Sequence, residues 1–468
     1  MLGATPKVGL ADVLRRHGPA FLAAHRLSVA KAKVWRAILA CRTAALGGHV
    51  QTCDACGSTR HVYHSCRNRH CPQCQTRAKE AWIAARAREV LPVPYFHLVF
   101  TLPHDLNGLI GQCPRALYER LFGAVSATLT EFAANPRWLG GTAAFTLVLH
   151  TWKQDLGRHV HIHALVPGGA LSPTGDWVAA KPGFLFPITA LSKVIRGKFV
   201  AALKAARQGG KLQEARLTDP AWHDLLGALY RHDWVVYAKQ SLGGPEQVLD
   251  YLGRYTHRVA ISNERILGID ADTVRLRVRD SAHGNKKRTL RVPAQTFIER
   301  FFLHVLPKGF KRIRHYGLLS PAAKTVNLAR ARAALSVPAP DPLVVESVQA
   351  FMHRIQRHAY LRCTHCGRGQ FVPTAAIAPV PLRLLHLRGP PGQVRYVPGS
   401  CVVLLALEYA RGSFDPVAHS PRYRRSLGLV RGLRHPYLAS PMRRGHFLWL
   451  TQRHDKRLTA LTTPLQSP

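Results

Sequence analysis

The stretch Val148–Gly169, VLHTWKQDLGRHVHIHALVPGG, decides the fold. His161-Ile162-His163 lies at its centre. Strand side chains alternate between faces, so His161 and His163 share one, with His159 on the same side. Ile162, Ala164 and Val166 alternate with them. Two imidazoles side by side on a rigid strand make half of a metal site. Upstream, Phe145–Trp152 reads as a second strand, and Leu156-Gly157 can turn the chain between the two. Such a hairpin brings Gln154 beside the histidines as a third, oxygen ligand. Two nitrogens and an amide oxygen, with open positions for water and phosphate, suit Mg²⁺ or Mn²⁺. His-x-His pairs also occur on ordinary strands, so the reading depends on the rest of the chain.

Composition narrows the class. The 468 residues suggest about three domains and allow a large core. Lys and Arg number 66 against 25 Asp and Glu, a formal net charge of +41. A merely solvated surface does not need that imbalance; the expected partner is a polyanion, nucleic acid above all. No basic amphipathic helix with a strong apolar face points to a membrane surface. No transmembrane span or signal peptide is legible, so a cytoplasmic location is expected, where ten cysteines stay reduced. CxxC spacing there favours metal over disulfide.

Residues 9 to 47 carry apolar positions at helical spacing and read as a packing layer. Then Cys53-x2-Cys56 and Cys71-x2-Cys74 stand fourteen residues apart. Each CxxC can wrap a loop around a tetrahedral Zn²⁺, and these four are expected to hold one structural ion. Cys66, His70, His49 and His64 could form a second site, replace a thiolate or serve as an outer shell. Arg60, Arg67, Arg69 and Arg77 make the module basic enough to touch phosphates. Helices are expected over 78–90, 115–134 and 192–208, a strand over 95–102, and a further helix capped by Asp219 with Pro220 in its first turn.

In Gly243–Asn263, GGPEQVLDYLGRYTHRVAISN, a helix start places Tyr251 and Tyr255 four apart on one face. Tyrosines at that spacing often only pack a core. Arg254, His257 and Arg258 argue instead for a polar, phosphate-facing setting. A phenol becomes a useful nucleophile beside a metal that polarises the phosphate it attacks. Further on, Val274, Leu276 and Val278 alternate with Arg275, Arg277 and Arg279, a strand with one apolar and one cationic face. Leu306–Gly317 is a basic loop whose Lys308, Lys311 and Arg312 are candidate phosphate contacts. Prolines cluster at 338–342, Cys363-x2-Cys366 is a lone knuckle, and the tail is rich in Arg and Pro without a catalytic motif. No P-loop is present, so no nucleotide cofactor is expected.

In order, these motifs are CRNRHCPQCQ, YFHLVFTLPH, HVHIHALVPGG, YLGRYTHRVAIS and LPKGFKRIRHYG. Over roughly residues 15 to 335 the chain resembles the insertion sequence 91 family of rolling-circle transposases, the two-tyrosine HUH class. The resemblance implies that His161 and His163 hold the divalent ion, that Tyr251 and Tyr255 are the paired nucleophiles and that the cysteine cluster is a zinc-binding domain. Gln154 stands where related initiator nucleases carry a polar third ligand; Asp155 or His97 could replace it. The fold implied is α+β, an HUH endonuclease-like antiparallel sheet with flanking helices, preceded by a helical and zinc-binding module. Expected boundaries are 1–82 for that module, 83–335 for the nuclease and 336–468 for a basic accessory region. The partners implied are single-stranded and duplex DNA at element ends and the host replication machinery, at the bacterial nucleoid. Three other readings are a carboxylate-triad transposase, a rolling-circle initiator or relaxase, and a zinc-dependent DNA-binding regulator without catalysis.

Overall fold

The computed structural model describes residues 8–74, 76–240, 249, 253, 260–280, 286–342, 346–354 and 361–381. Tyr251, Tyr255, Arg254, His257, Arg258, the side chain of Arg77 and everything past residue 381 lie outside the described residues. The chain begins with α1 (Leu10–Ala24) and α2 (Val29–Ala40), then β1 (Gly48–Cys53), β2 (Thr59–Tyr63), α3 (Thr76–Ala87) and β3 (Tyr95–Thr101). Next come α4 (Asn107–Gln112), α5 (Pro114–Ala134), β4 (Thr142–Trp152), β5 (Arg158–Pro167), β6 (Gly169–Leu171) and β7 (Trp177–Ala179). They are followed by α6 (Ile188–Gln208), α7 (Asp219–Arg231), β8 (Val236–Gln240), β9 (Ile266–Ile269), β10 (Thr273–Asp280) and β11 (Lys286–Pro293). The described part ends with α8 (Ala294–Phe302), β12 (Ile313–Gly317), α9 (Lys324–Ala334), α10 (Val348–Arg354) and β13 (Phe371–Ile377). Helices packed on antiparallel sheets make this an α+β protein.

The largest sheet runs β7-β6-β4-β5-β3-β8, with β12 also paired to β4. Its centre is the β4–β5 hairpin, bordered by β3. Strand alternation sorts its two faces. Phe96, Leu98 and Phe100, Phe145, Leu147 and Leu149, and Val160, Ile162 and Ala164 bury one face under α5 and α6. Tyr95, Val148 and Leu165 lie on the other, packed with Trp82 of α3. That second face also carries the histidines, two positions along from Leu165 and Val148.

A second core joins the first helices to residues far along the chain. Leu10, Val13, Leu14 and Phe21 of α1 and Val34, Trp35 and Ile38 of α2 pack on Val274, Leu276 and Val278 of β10 and on Phe297, Ile298, Phe301 and Phe302 of α8. The apolar core therefore crosses the boundary expected at residue 82. A third sheet, β13-β1-β2, likewise recruits Phe371–Ile377 from the region expected to be accessory.

Two local expectations change. The helical run from residue 9 splits because Ser28 caps a new helix, accepting from Lys31 N. Thr218, not Asp219, caps α7: its hydroxyl accepts from Ala221 N, leaving Asp219 in the first turn.

Phe301 is almost fully buried in the second core. Phe301→Ala should destabilise the fold by about 3–5 kcal/mol, measured by urea unfolding with zinc in excess. A change under about 1 kcal/mol would mean that the core does not bridge the N-terminal helices and β10.

Candidate active site

The pairing of β4 with β5 sets His150 directly opposite His161 and Val148 opposite His163. Candidate ligand atoms of His150, His161 and His163 all lie within 4.8 Å of one another. His161 Nε2 and His163 Nε2 stand 3.1 Å apart. The ring centroid of His150 lies 5.3 Å from that of His161 and 4.4 Å from that of His163. His150 also stacks on Trp152, 4.6 Å between centroids.

The hydrogen bonds fix how the rings present themselves. The His159 carbonyl can only accept, so His161 Nδ1, 3.0 Å away, carries the proton and its Nε2 keeps a lone pair. His163 Nδ1 lies 2.8 Å from His97 Nε2, on the neighbouring strand β3. With the proton on His163 Nδ1, both Nε2 lone pairs face one point, the arrangement a cation needs. Burial, the first cause in each case, pushes His161 and His97 down to about 4 and His163 well below its ordinary 6.5. The rings are therefore neutral at pH 7, the state in which imidazole binds metal. The donor set fits a divalent ion.

Gln154 is not part of this group. It occupies the exposed hairpin turn, and its carbonyl accepts from Arg265. The residue that groups with His161 and His163 is His150 rather than Gln154, because the β4 register carries its imidazole to the histidine face before the turn begins. His97 stands behind His163 as a hydrogen-bond partner. Asp155 also sits in the turn, its carboxylate accepting from Gly157 N at 2.8 Å. A register shift between His150 and Trp152 marks a bulge beside the site. His159 pairs through Nδ1 with His104 Nε2 at 3.1 Å instead of joining the trio.

The turn itself is clamped. Arg265 bonds the Gln154 carbonyl, Arg300 the Asp155 carbonyl at 3.1 Å and His304 Nε2 the Leu156 carbonyl at 2.9 Å. His304 Nδ1 lies 3.0 Å from the Thr151 hydroxyl, so both ring nitrogens hold the hairpin. Leu156 adopts a φ of 66° and is fully buried in the second core, which holds that uncommon conformation in place.

Leu249 and Gly253 flank position 251 and are helical. Leu249 lines a cavity with Trp82, Tyr95, Thr146 and Leu165, on the histidine face of the sheet. A Cβ at Gly253 would stand 2.4 Å from Ile83 Cδ1 of α3, so a larger residue there would require the Ile83 side chain to move.

The cysteines divide differently from the expectation. Cys71 and Cys74 group with Cys41 and Cys66, whereas Cys53 and Cys56 group with Cys363 and Cys366. One ion on Cys53, Cys56, Cys71 and Cys74 is thereby corrected: β1 and β2 carry the first knuckle away from the second. Cys41 gave no local spacing signal. His70 lies outside both groups. Its Nδ1 lies 3.1 Å from Asn68 Oδ1, and its Nε2 accepts from Leu306 N at 3.3 Å.

Among the basic residues, Lys308 and Lys311 are exposed, but Arg312 is buried and corrected as a phosphate contact. Burial first, then Arg69, pulls the Arg312 guanidinium down to about 9. Arg69 donates to the carbonyls of Phe310 at 2.6 Å and Pro307 at 3.3 Å, and Arg60 lies over the Phe371 ring. The β10–β11 pair is different. Arg275 opposes Arg291 and Arg279 opposes Lys287 across the strands, and apart from the half-buried Arg275 these side chains are exposed. Arg275 finds Asp270 at 3.2 Å. Among the described residues Arg277, Arg279, Lys287 and Arg291 have no carboxylate partner. Like charges directly opposed destabilise a sheet, which a polyanion would offset.

Residues 13–102 match the family model described as "Transposase zinc-binding domain", and residues 144–326 match the one described as "Putative transposase". Together they define a DNA-processing enzyme with a structural zinc module. The chain is 44 % identical over 373 residues to "Putative transposase y4qJ" of Sinorhizobium fredii, covering 78 % of this chain and 94 % of that protein. It is 26 % identical over 373 residues to "Transposase for insertion sequence element IS801" of Pseudomonas savastanoi pv. phaseolicola, covering 77 % and 87 %. The chain belongs to the insertion sequence 91 family of transposases. It therefore binds DNA, and the cluster Cys41, Cys66, Cys71 and Cys74, wholly inside the matched zinc-binding domain, fits structural Zn²⁺. Among the described residues no helix is long and apolar enough to cross a membrane.

His150→Ala should weaken Mn²⁺ binding at least about tenfold, the lower end of what losing even an outer partner of a metal ligand costs. Gln154→Ala should leave the affinity within about twofold. Calorimetric titration checks both, and the reverse pattern would restore Gln154 as the ligand.

Proposed function

We propose that the chain nicks and rejoins single-stranded DNA by tyrosine transesterification at the His150, His161 and His163 site, driving rolling-circle transposition. The observation that carries this is the convergence of three buried imidazoles, those of His150, His161 and His163, on one sheet face. Leu249 and Gly253, on either side of Tyr251 in sequence, lend support through the face that Leu249 occupies.

Mg²⁺ or Mn²⁺ held by these histidines would polarise the scissile phosphate and stabilise charge on its oxygens. A Tyr251 or Tyr255 phenol oxygen attacks phosphorus in line and gives up its proton. The new bond joins that oxygen to the 5′-phosphate, and the bond to the 3′ oxygen breaks. The departing oxygen takes up a proton and leaves a free 3′-OH, which the host replication machinery can extend. Bond energy is conserved in the 5′-phosphotyrosine, so strand joining by a later 3′-OH needs no nucleotide hydrolysis. The second phenol repeats the attack at the other element end or at the target. Arg254 and Arg258 are assigned to the phosphates beside the tyrosines. Lys308 and Lys311 extend the binding surface along the strand.

Incubation with labelled single-stranded element ends and Mn²⁺ should yield a protein–DNA species that survives denaturation. The double variant Tyr251→Phe with Tyr255→Phe should abolish it while retaining DNA binding. Persistence of the adduct in that variant would refute tyrosine attack, and its absence from the parent would favour a non-catalytic regulator. The cationic face of β10 and β11 is assigned to the flanking DNA backbone. Replacing Arg277, Arg279, Lys287 and Arg291 by alanine should reduce the log–log salt slope of binding by about 0.7–0.9 for each phosphate that is no longer neutralised. An unchanged slope would leave that face merely solvated.

A further inference from the structure

Cys363 and Cys366 lie outside both matched segments. Their sulfurs nevertheless meet those of a knuckle more than 300 residues earlier: Cys53 Sγ is 3.8 Å from Cys366 Sγ, and Cys56 Sγ is 3.7 Å from Cys363 Sγ. Four sulfurs about 2.3 Å from a tetrahedral ion stand about 3.8 Å apart, whereas a disulfide needs about 2.05 Å. We propose that Cys53, Cys56, Cys363 and Cys366 hold a second Zn²⁺, which clasps residues 361–377 onto the N-terminal hairpin.

The surroundings are built for thiolates. His365 N donates to Cys363 Sγ at 3.4 Å, and Gly369 N donates to Cys366 Sγ at 3.4 Å. Backbone amides turned toward sulfur favour its charged form. The knuckles fit closely: a Cβ at Gly369 would sit 2.5 Å from Cys53 Sγ and 2.5 Å from Asp54 Oδ1. Asp54 Oδ1 accepts from Gln370 N at 2.8 Å, and Asp54 N donates to the Gln370 carbonyl at 3.1 Å. From there β13 runs antiparallel to β1, Phe371 opposite Cys53 and Ile377 opposite Gly48. The ion thus stands at the start of the only described strand after β12. The site is also distinct from the first cluster in exposure. Cys41 and Cys71 are buried in the second core, whereas Cys56 is exposed.

That exposure supplies the test. Burial cannot protect Cys56 from an alkylating reagent, but a metal can. In the full chain, the four clasp cysteines should resist N-ethylmaleimide and lose their protection together when a strong chelator is added. Cys363→Ser with Cys366→Ser should lower the zinc content by one ion per chain. It should also expose Cys53 and Cys56 to the reagent, while Cys41, Cys66, Cys71 and Cys74 stay protected. Cobalt substitution should give thiolate-to-cobalt charge transfer that falls by about half in the same variant. Rapid alkylation of Cys56 and Cys366 in the untreated parent would overturn the proposal even if the variant failed to fold. Unchanged zinc content in a folded variant would do so too.

Discussion

The candidate site depends on the register of one hairpin. His150 faces its partners only because it opposes His161 across β4 and β5. A slip of one residue would turn every side chain of a strand to the other face, placing imidazoles in the apolar layer under α5 and α6. The clamp on the turn resists that slip. Three successive carbonyls, those of Gln154, Asp155 and Leu156, receive donors from Arg265, Arg300 and His304. Leu156 anchors the same turn in the second core. The helices that open the chain thus help to hold the histidines in place, through a core they share with β10 and α8.

Two different environments then suit two kinds of metal site. Burial keeps the His161 and His163 rings neutral, and each has its outward nitrogen engaged, so the inward nitrogens face a common point. The cysteine clusters are closed sulfur sites, suited to structure and offering no open position. The first is embedded near α2 and Leu306. The second ties β1 to a strand reached only after β12. The two matched segments, a zinc-binding domain over 13–102 and a transposase segment over 144–326, are consistent with this division.

Much of this was legible in the sequence because it is local. Period-two alternation marked β5 and the Val274–Arg279 strand, and the latter does bury its valines and leucine while leaving most of its cations outside. The CxxC pairs announced metal. What the sequence hid was long-range. Nothing in spacing connects Cys41 to Cys71, or Cys53 to Cys366; sheet pairing and the second core do that. Gln154 was a reasonable ligand if the turn were tight against the histidines, but the bulge and the clamp set it at the tip. His150 carried a readable signal all the same, since it sits two residues beyond Val148 on the histidine face. Arg312 looked like one more cation in a basic loop. Its side chain is buried, and its carbonyl accepts from Leu149 N at 2.9 Å just before β12 begins.

A crystal of the protein soaked with Mn²⁺, read by anomalous scattering at the manganese edge, tests the histidine site without recourse to activity. One strong peak should stand on the histidine face of β4 and β5, ligated by ring nitrogens of His150, His161 and His163 and by no atom of Gln154. A peak bound elsewhere, or the three imidazoles left uncoordinated at saturating Mn²⁺, would contradict the assignment.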